Sequence, residues 1–179
     1  MKVPNSSTPS LQEHHENESN LTISDTDISH TINLYGCKNT TVIVKGKVNA
    51  VTIGKRLDQP MHEHQKINNW VSIVNCTKTS VLIDSVISSV AVTNSPSFQL
   101  QITGVAPMVQ LDSTDSGIIY LSKECLGIEI TTAKCSAINI QVPVEGEEEG
   151  IYSEHPVPEI FKTVIKDGKL ITSAVEHAG

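Results

Sequence analysis

A pair of apolar residues flanking one variable residue recurs down this chain every nineteen residues, and that clock dictates what it can fold into. One series starts at Leu21, Val42, Val81, Leu100, Ile119 and Ile138; a second starts at Ile32, Val51, Val90, Val109 and Ile128. Most members read apolar–x–apolar, as in Leu21/Ile23, Val81/Ile83, Leu100/Ile102, Ile128/Ile130 and Ile138/Ile140. Alternation over three to five residues is the period of a strand with one buried face. A fixed repeat interval marks a solenoid, in which each turn buries its apolar edge only against its neighbours. Val and Ile together number 38 against 10 Leu, and β-branched side chains suit a pleated surface better than a helical core. The expected fold is all-β: a right-handed, flattened parallel β-helix with two short strands per turn and about six coils.

The clock shows one long interruption. Val42 to Val81 and Val51 to Val90 each span 39 residues, one period of 19 plus 20. The added stretch lies near Gly54 to Ile73 and differs in composition from its surroundings. It holds the one Trp, Trp70, the one Arg, Arg56, and two of the seven His. Deleting it joins Val51-Thr-Ile to Val74 and restores the step between the two series. It reads as a surface excursion from one corner of a coil, which a solenoid tolerates because loop length costs little. A retained intron would leave the same pattern.

Outside the coils the chain changes character. Residues 1–16 are polar and aperiodic and are expected to be disordered, leaving a β-helix over 17–142. Residues 143–160 read as an acidic, Pro-rich linker that cannot add a central strand, because each Pro lacks a ladder donor. Residues 161–179 read as a hairpin and tail: Phe161, Val164 and Ile165, then the turn Asp167-Gly168, then Leu170 onward. Asp-Gly between two alternating runs signals a type I′ turn. An isolated hairpin is marginal in water, so this one must pack on the open end of its own coil or on another subunit.

Function classes narrow by exclusion. The net charge of −7, with no basic run interleaved with aromatics, argues against nucleic acid and anionic membrane surfaces. No apolar stretch is long enough to span a bilayer and the N-terminus has no signal-peptide core, which predicts a cytoplasmic protein. The four Cys show no zinc spacing, His62-Glu-His64 sits in the excursion, and no nucleotide-binding or hydrolase motif occurs, so neither catalysis nor a cofactor is expected. The outward columns are read as Thr22, Ile43, Leu82, Gln101, Tyr120 and Asn139 on one face and Asn33, Thr52, Ala91, Gln110 and Glu129 on the other. Ile43 and Leu82 then lie side by side with Lys45 and Lys47 just beyond, a candidate interaction surface.

Specific strings carry more than the periodicity does. Lys45-Gly-Lys-Val-Asn49, Ile119-Tyr-Leu-Ser-Lys-Glu124, His155-Pro-Val-Pro-Glu-Ile-Phe-Lys162, Asp167-Gly-Lys169 and Glu176-His-Ala-Gly179 resemble the C-terminal domain of adenylyl cyclase-associated protein. The resemblance runs over residues 17–179 apart from the excursion. It implies a β-helix whose C-terminal hairpin, with Phe161, Val164, Ile165, Asp167, Gly168 and Leu170, exchanges between two subunits of a homodimer. It also implies binding of monomeric actin, the ADP form preferred, with return of the monomer to its ATP form. The residues it marks for actin are Lys45, Lys47, Asn49, Lys123, Glu124, Glu176 and Gly179. Two other classes fit a solenoid of this kind. A domain like that of tubulin cofactor C would regulate a GTPase through a coil arginine, for which Arg56 is the one candidate. A purely structural dimerisation module would need no actin at all.

Overall fold

The computed structural model of the protein describes residues 10–54, 71–74 and 76–175. Strands β1 (Ser10–Glu13), β2 (Leu21–Ile23), β3 (Thr31–Tyr35) and β4 (Thr41–Val48) begin the coil. It continues through β5 (Ala50–Gly54), β6 (Val71–Val74), β7 (Ser80–Val86) and β8 (Val90–Thr93). Strands β9 (Gln99–Ile102), β10 (Met108–Asp112), β11 (Asp115–Tyr120), β12 (Glu129–Ala133) and β13 (Ser136–Pro143) complete it. The chain closes with β14 (Tyr152–Pro156), β15 (Phe161–Lys166) and β16 (Lys169–Ala174).

Two parallel sheets face each other. The first runs β1-β3-β5-β6-β8-β10-β12, with β5 and β6 sharing one row; the second runs β2-β4-β7-β9-β11-β13, with β14 added antiparallel. Each sheet therefore stacks six parallel rows, and the chain is a β-solenoid as the clock requires. Between the sheets lie the residues of the two series, among them Ile32, Val42, Val51, Val81, Val90, Leu100, Val109, Ile119 and Ile138, all buried. Leu100 and Ile119, fully enclosed, are core contacts of the kind whose truncation to Ala costs about 2–5 kcal/mol. Gly117 shows how tightly the rows fit: a Cβ there would fall 2.0 Å from the Phe98 ring of the preceding row.

The corner leading from the first sheet to the second is built from left-handed backbone. Asn17, Asn39, Lys78, Ser97, Ser116 and Ala137 occupy equivalent places in successive rows, with φ between 48° and 59°. Asn tolerates this region because its short side chain bonds locally. Here the Asn39 amide donates to the Asn17 side-chain oxygen of the row before, at 2.9 Å.

Three sequence expectations are modified. The sheet starts inside the segment expected to be disordered: β1 pairs with β3 from Ser10↔Ile32 to Glu13↔Tyr35, because a parallel ladder uses backbone groups whatever the side chains. The 20-residue excursion leaves from within a strand and not from a corner. Val51 pairs directly with Val90, while Ile73 pairs with both Leu34 and Val92, so β5 supplies one half of the row and β6 the other. The clock also slips by two near the end, since Val109 pairs with Ile130 and Ile119 with Ile140. Thr131 and Gln141 thus replace Glu129 and Asn139 in the outward columns, and the cause is a single 3-10 turn at Lys123–Cys125 that lengthens one corner.

Candidate functional site

The Lys45-Gly46-Lys47 string forms a bulge. β4 and β7 run in register from Thr41↔Ser80 to Val44↔Ile83, then slip, so that Lys47 faces Ser85 and Val48 faces Val86. Lys45 and Gly46 together oppose Asp84, and its carboxylate accepts the Gly46 N–H at 2.6 Å. Gly46 has φ +86°, and a Cβ on it would fall 2.7 Å from the Thr26 hydroxyl, which itself donates to the Lys45 carbonyl at 2.5 Å. Bulges in parallel sheets are rare and re-aim side chains. Here the effect is that Lys45, Gly46 and Lys47 are all exposed between the buried Val44 and Val48. Among the described residues neither lysine forms an ion pair; the one such pair is Lys38–Glu16 at 2.9 Å.

Asn49 lies just beyond, half-buried and held by its backbone. Its N–H donates to the His30 carbonyl at 3.1 Å, and its own carbonyl accepts from Ser88 at 2.8 Å. Its visible work is to turn the corner.

Lys123 and Glu124 are exposed on the 3-10 turn of the same corner, farther along the stack. The turn is tied down by the Ser122 hydroxyl, which donates to the Gly104 carbonyl at 2.5 Å. Cys125 anchors it from below: its sulfur donates to the Ala106 carbonyl at 3.5 Å and accepts the Ala106 N–H at 3.3 Å. Burial pushes this thiol above its usual range, so it stays a neutral hydrogen-bonding group.

The corner joins the two strings. A groove of about 400 Å³ runs between Lys47 and Glu124, lined by Ile87, Val105, Pro107 and Gly127. Large aliphatics crown the corners along this edge, with Ile28 59%, Ile87 45%, Val105 39% and Leu126 54% exposed. Sequence reading missed Ile87, Val105 and Leu126 because they lie between the periodic pairs. The available signal was an aliphatic residue in each corner stretch, where turn-forming polar residues are the norm.

The sheet face picked out from sequence adjoins this corner. Ile43 and Leu82 are register partners, and the column continues to Gln101, Tyr120 and Gln141. Both aliphatics are half-buried beside a shallow groove of about 190 Å³, and Tyr120 stacks edge-on against Tyr152 with ring centroids 5.4 Å apart.

Glu176 and Gly179 lie outside the described residues, as do Arg56, His62 and His64. Among the described residues no cluster of His, Cys, Asp and Glu is fit for a metal, and no helix is long and apolar enough to cross a membrane.

The hairpin stands apart from the corner. β15 and β16 pair from Phe161↔Ala174 to Lys166↔Lys169 in a sheet of their own. Asp167 and Gly168 both have positive φ, 50° and 72°, as a type I′ turn requires. Ile165 and Leu170 share one face, together with Phe161, and all three are exposed.

The sequence profile described as Adenylate cyclase associated (CAP) C terminal matches residues 10–57 and 62–177. The chain belongs to the adenylyl cyclase-associated protein family. Human adenylyl cyclase-associated protein 1 is 36% identical over 167 residues, 93% of this chain and 30% of the human protein. The adenylyl cyclase-associated protein of Schizosaccharomyces pombe is 32% identical over 158 residues, 88% of this chain and 24% of that protein. A crystal structure of cyclase-associated protein from Cryptosporidium parvum matches with a TM-score of 0.79 at 29% identity, covering 97% of this chain and 94% of that one. The chain thus corresponds to the C-terminal domain of cyclase-associated proteins and spans less than a third of the human and yeast relatives. The gap between the two matched stretches, residues 58–61, falls inside the excursion.

Proposed function

We propose that this cyclase-associated-protein domain binds monomeric actin, preferring the ADP form, and helps the monomer return to its ATP form, so that it acts in actin filament turnover. The observation that carries the reading is the convergence of two family strings on one corner. Lys45 to Asn49 and Lys123-Glu124 bracket a groove whose rim is aliphatic and whose lysines are free of ion pairs among the described residues. A net charge of −7 gives no long-range pull toward an acidic partner, so local contacts must supply specificity. The partner places the protein in the cytoplasm, with the cytoskeleton.

The domain is read as a binding module that works as a homodimer, each hairpin lying on the other copy. Support comes from the hairpin itself: two strands with apolar side chains exposed, which do not hold a fold alone. A GTPase-regulating solenoid is the weaker reading, because the described coils contain no arginine.

Titrating fluorescently labelled actin monomers, loaded with ADP or with ATP, against the purified protein tests this reading. Binding without any other component, tighter for ADP-actin and with faster nucleotide release, is expected. No binding to either form would remove actin and leave a structural dimerisation module.

A further inference from the structure

At the left-handed corner an inward ladder runs through successive rows as Cys37, Cys76, Ser95, Thr114 and Cys135. Its two middle rungs are closed by hydroxyls. The Cys76 N–H donates to the Ser95 hydroxyl oxygen at 3.3 Å, and the Ser95 N–H to that of Thr114 at 3.3 Å. The first rung is different, because it brings two thiols together, both 0% exposed. Their register is fixed by the backbone: the Thr77 N–H donates to the Cys37 carbonyl at 3.0 Å, and the Asn39 N–H to the Thr77 carbonyl at 2.9 Å. Cys37 donates its S–H toward the Tyr35 carbonyl at 3.6 Å, and Cys76 toward the Leu34 carbonyl of the same neighbouring row at 3.9 Å. Paired residues on adjacent rows lie roughly 4.8 Å apart, inside the 4.4–6.8 Å span between Cα atoms, roughly, that a disulfide needs.

We propose that Cys37 and Cys76 are a redox modification site, closed to a disulfide by a hydroperoxide that reaches the sulfurs when this corner opens locally, since both are enclosed in the closed fold. A thiolate sulfur attacks the peroxide, the O–O bond breaks, and sulfenic acid forms with release of water or an alcohol. The second sulfur then displaces the sulfenic hydroxyl, which leaves as water with the remaining proton. Two thiols are oxidised and one peroxide is reduced. The interaction of the two thiol side chains supports this order: it lowers Cys37 and raises Cys76, with burial opposing the first shift and adding to the second.

The bond joins the row that carries Lys45 and Lys47 to the next row, across the 20-residue excursion.

The test uses the full chain, reduced and then exposed to graded hydrogen peroxide, alkylated and mapped without reduction. A Cys37–Cys76 cross-linked peptide is expected, with Cys125 and Cys135 alkylated. Its appearance should coincide with a rise in melting temperature of at least about 3 °C, and dithiothreitol should reverse both. Cys76→Ser gives that row the residue its neighbour already has in Ser95, so the fold is retained while cross-link and shift are lost. Cys125→Ser should keep both. Recovery of Cys37 and Cys76 as separate alkylated or sulfinic peptides overturns the proposal. So does a melting shift that persists in Cys76→Ser.

Discussion

Lys45 and Lys47 are exposed because of what lies under them. Asp84 could pair with a lysine; instead its carboxylate accepts the Gly46 N–H and props up the bulge. The ammonium groups are left without an ion pair among the described residues. Changing Lys45 and Lys47 together to Ala should therefore leave the melting temperature in place, since exposed charges contribute little to stability. The same change should weaken ADP-actin binding at least tenfold, about 1.4 kcal/mol. A double variant that binds as wild type does would move the site elsewhere. Gly46→Ala should behave differently, because it combines a left-handed backbone with a Cβ 2.7 Å from the Thr26 hydroxyl. A loss of about 1–3 kcal/mol in urea unfolding is expected, together with weaker actin binding at temperatures where the fold persists. The glycine itself was visible in the sequence. The bulge was not, because the carboxylate that props it is 38 residues away.

At the scale of strands and corners, the nineteen-residue clock located nearly every row, yet it misplaced the outward columns after Tyr120. The reason is specific. A slip of two residues keeps the same face inward, since side chains alternate with period two. Ile128/Ile130 and Ile138/Ile140 satisfy the apolar pattern in either register, so the longer corner at Lys123–Cys125 leaves no trace in it. The excursion shows the opposite case, in which the count was right and the point of departure was not. Because Ile53 and Ile73 are the same residue type, deleting 54–73 or 53–72 yields one and the same chain. That chain runs Val51-Thr-Ile-Val as a single strand across the row now shared by β5 and β6. Its melting temperature should equal or exceed that of wild type, because a split row becomes continuous. A drop of more than a few degrees would mean that residues of the excursion belong to the core.

At the C-terminal end of the solenoid the two sheets finish differently, and the difference bears on assembly. The second sheet is closed by β14, which runs antiparallel and ends in Pro156, suited to an edge. The first sheet stops at β12, whose outer edge has no strand partner among the described residues and whose side chains are mostly exposed. A parallel edge left open invites pairing. The same chain carries a hairpin with Phe161, Ile165 and Leu170 in solvent and no sheet to join. Placing one copy's hairpin over the other copy's open end removes both defects at once and gives a closed, two-fold assembly. The cut that tests this must spare the solenoid, since the Val157 N–H donates to the Ile138 carbonyl at 2.9 Å and the Glu159 carboxylate accepts the Ala137 N–H at 2.5 Å. Ending the chain after Glu159 keeps both contacts and removes β15 and β16. Sedimentation at micromolar concentration should show a dimer for the full chain and a monomer for the shortened one. The shortened protein should keep its strand signal in circular dichroism and aggregate on standing, because the β12 edge is then bare. A full chain that sediments as a monomer, or a shortened one that stays dimeric, would end the exchange model and send the hairpin back to its own coil.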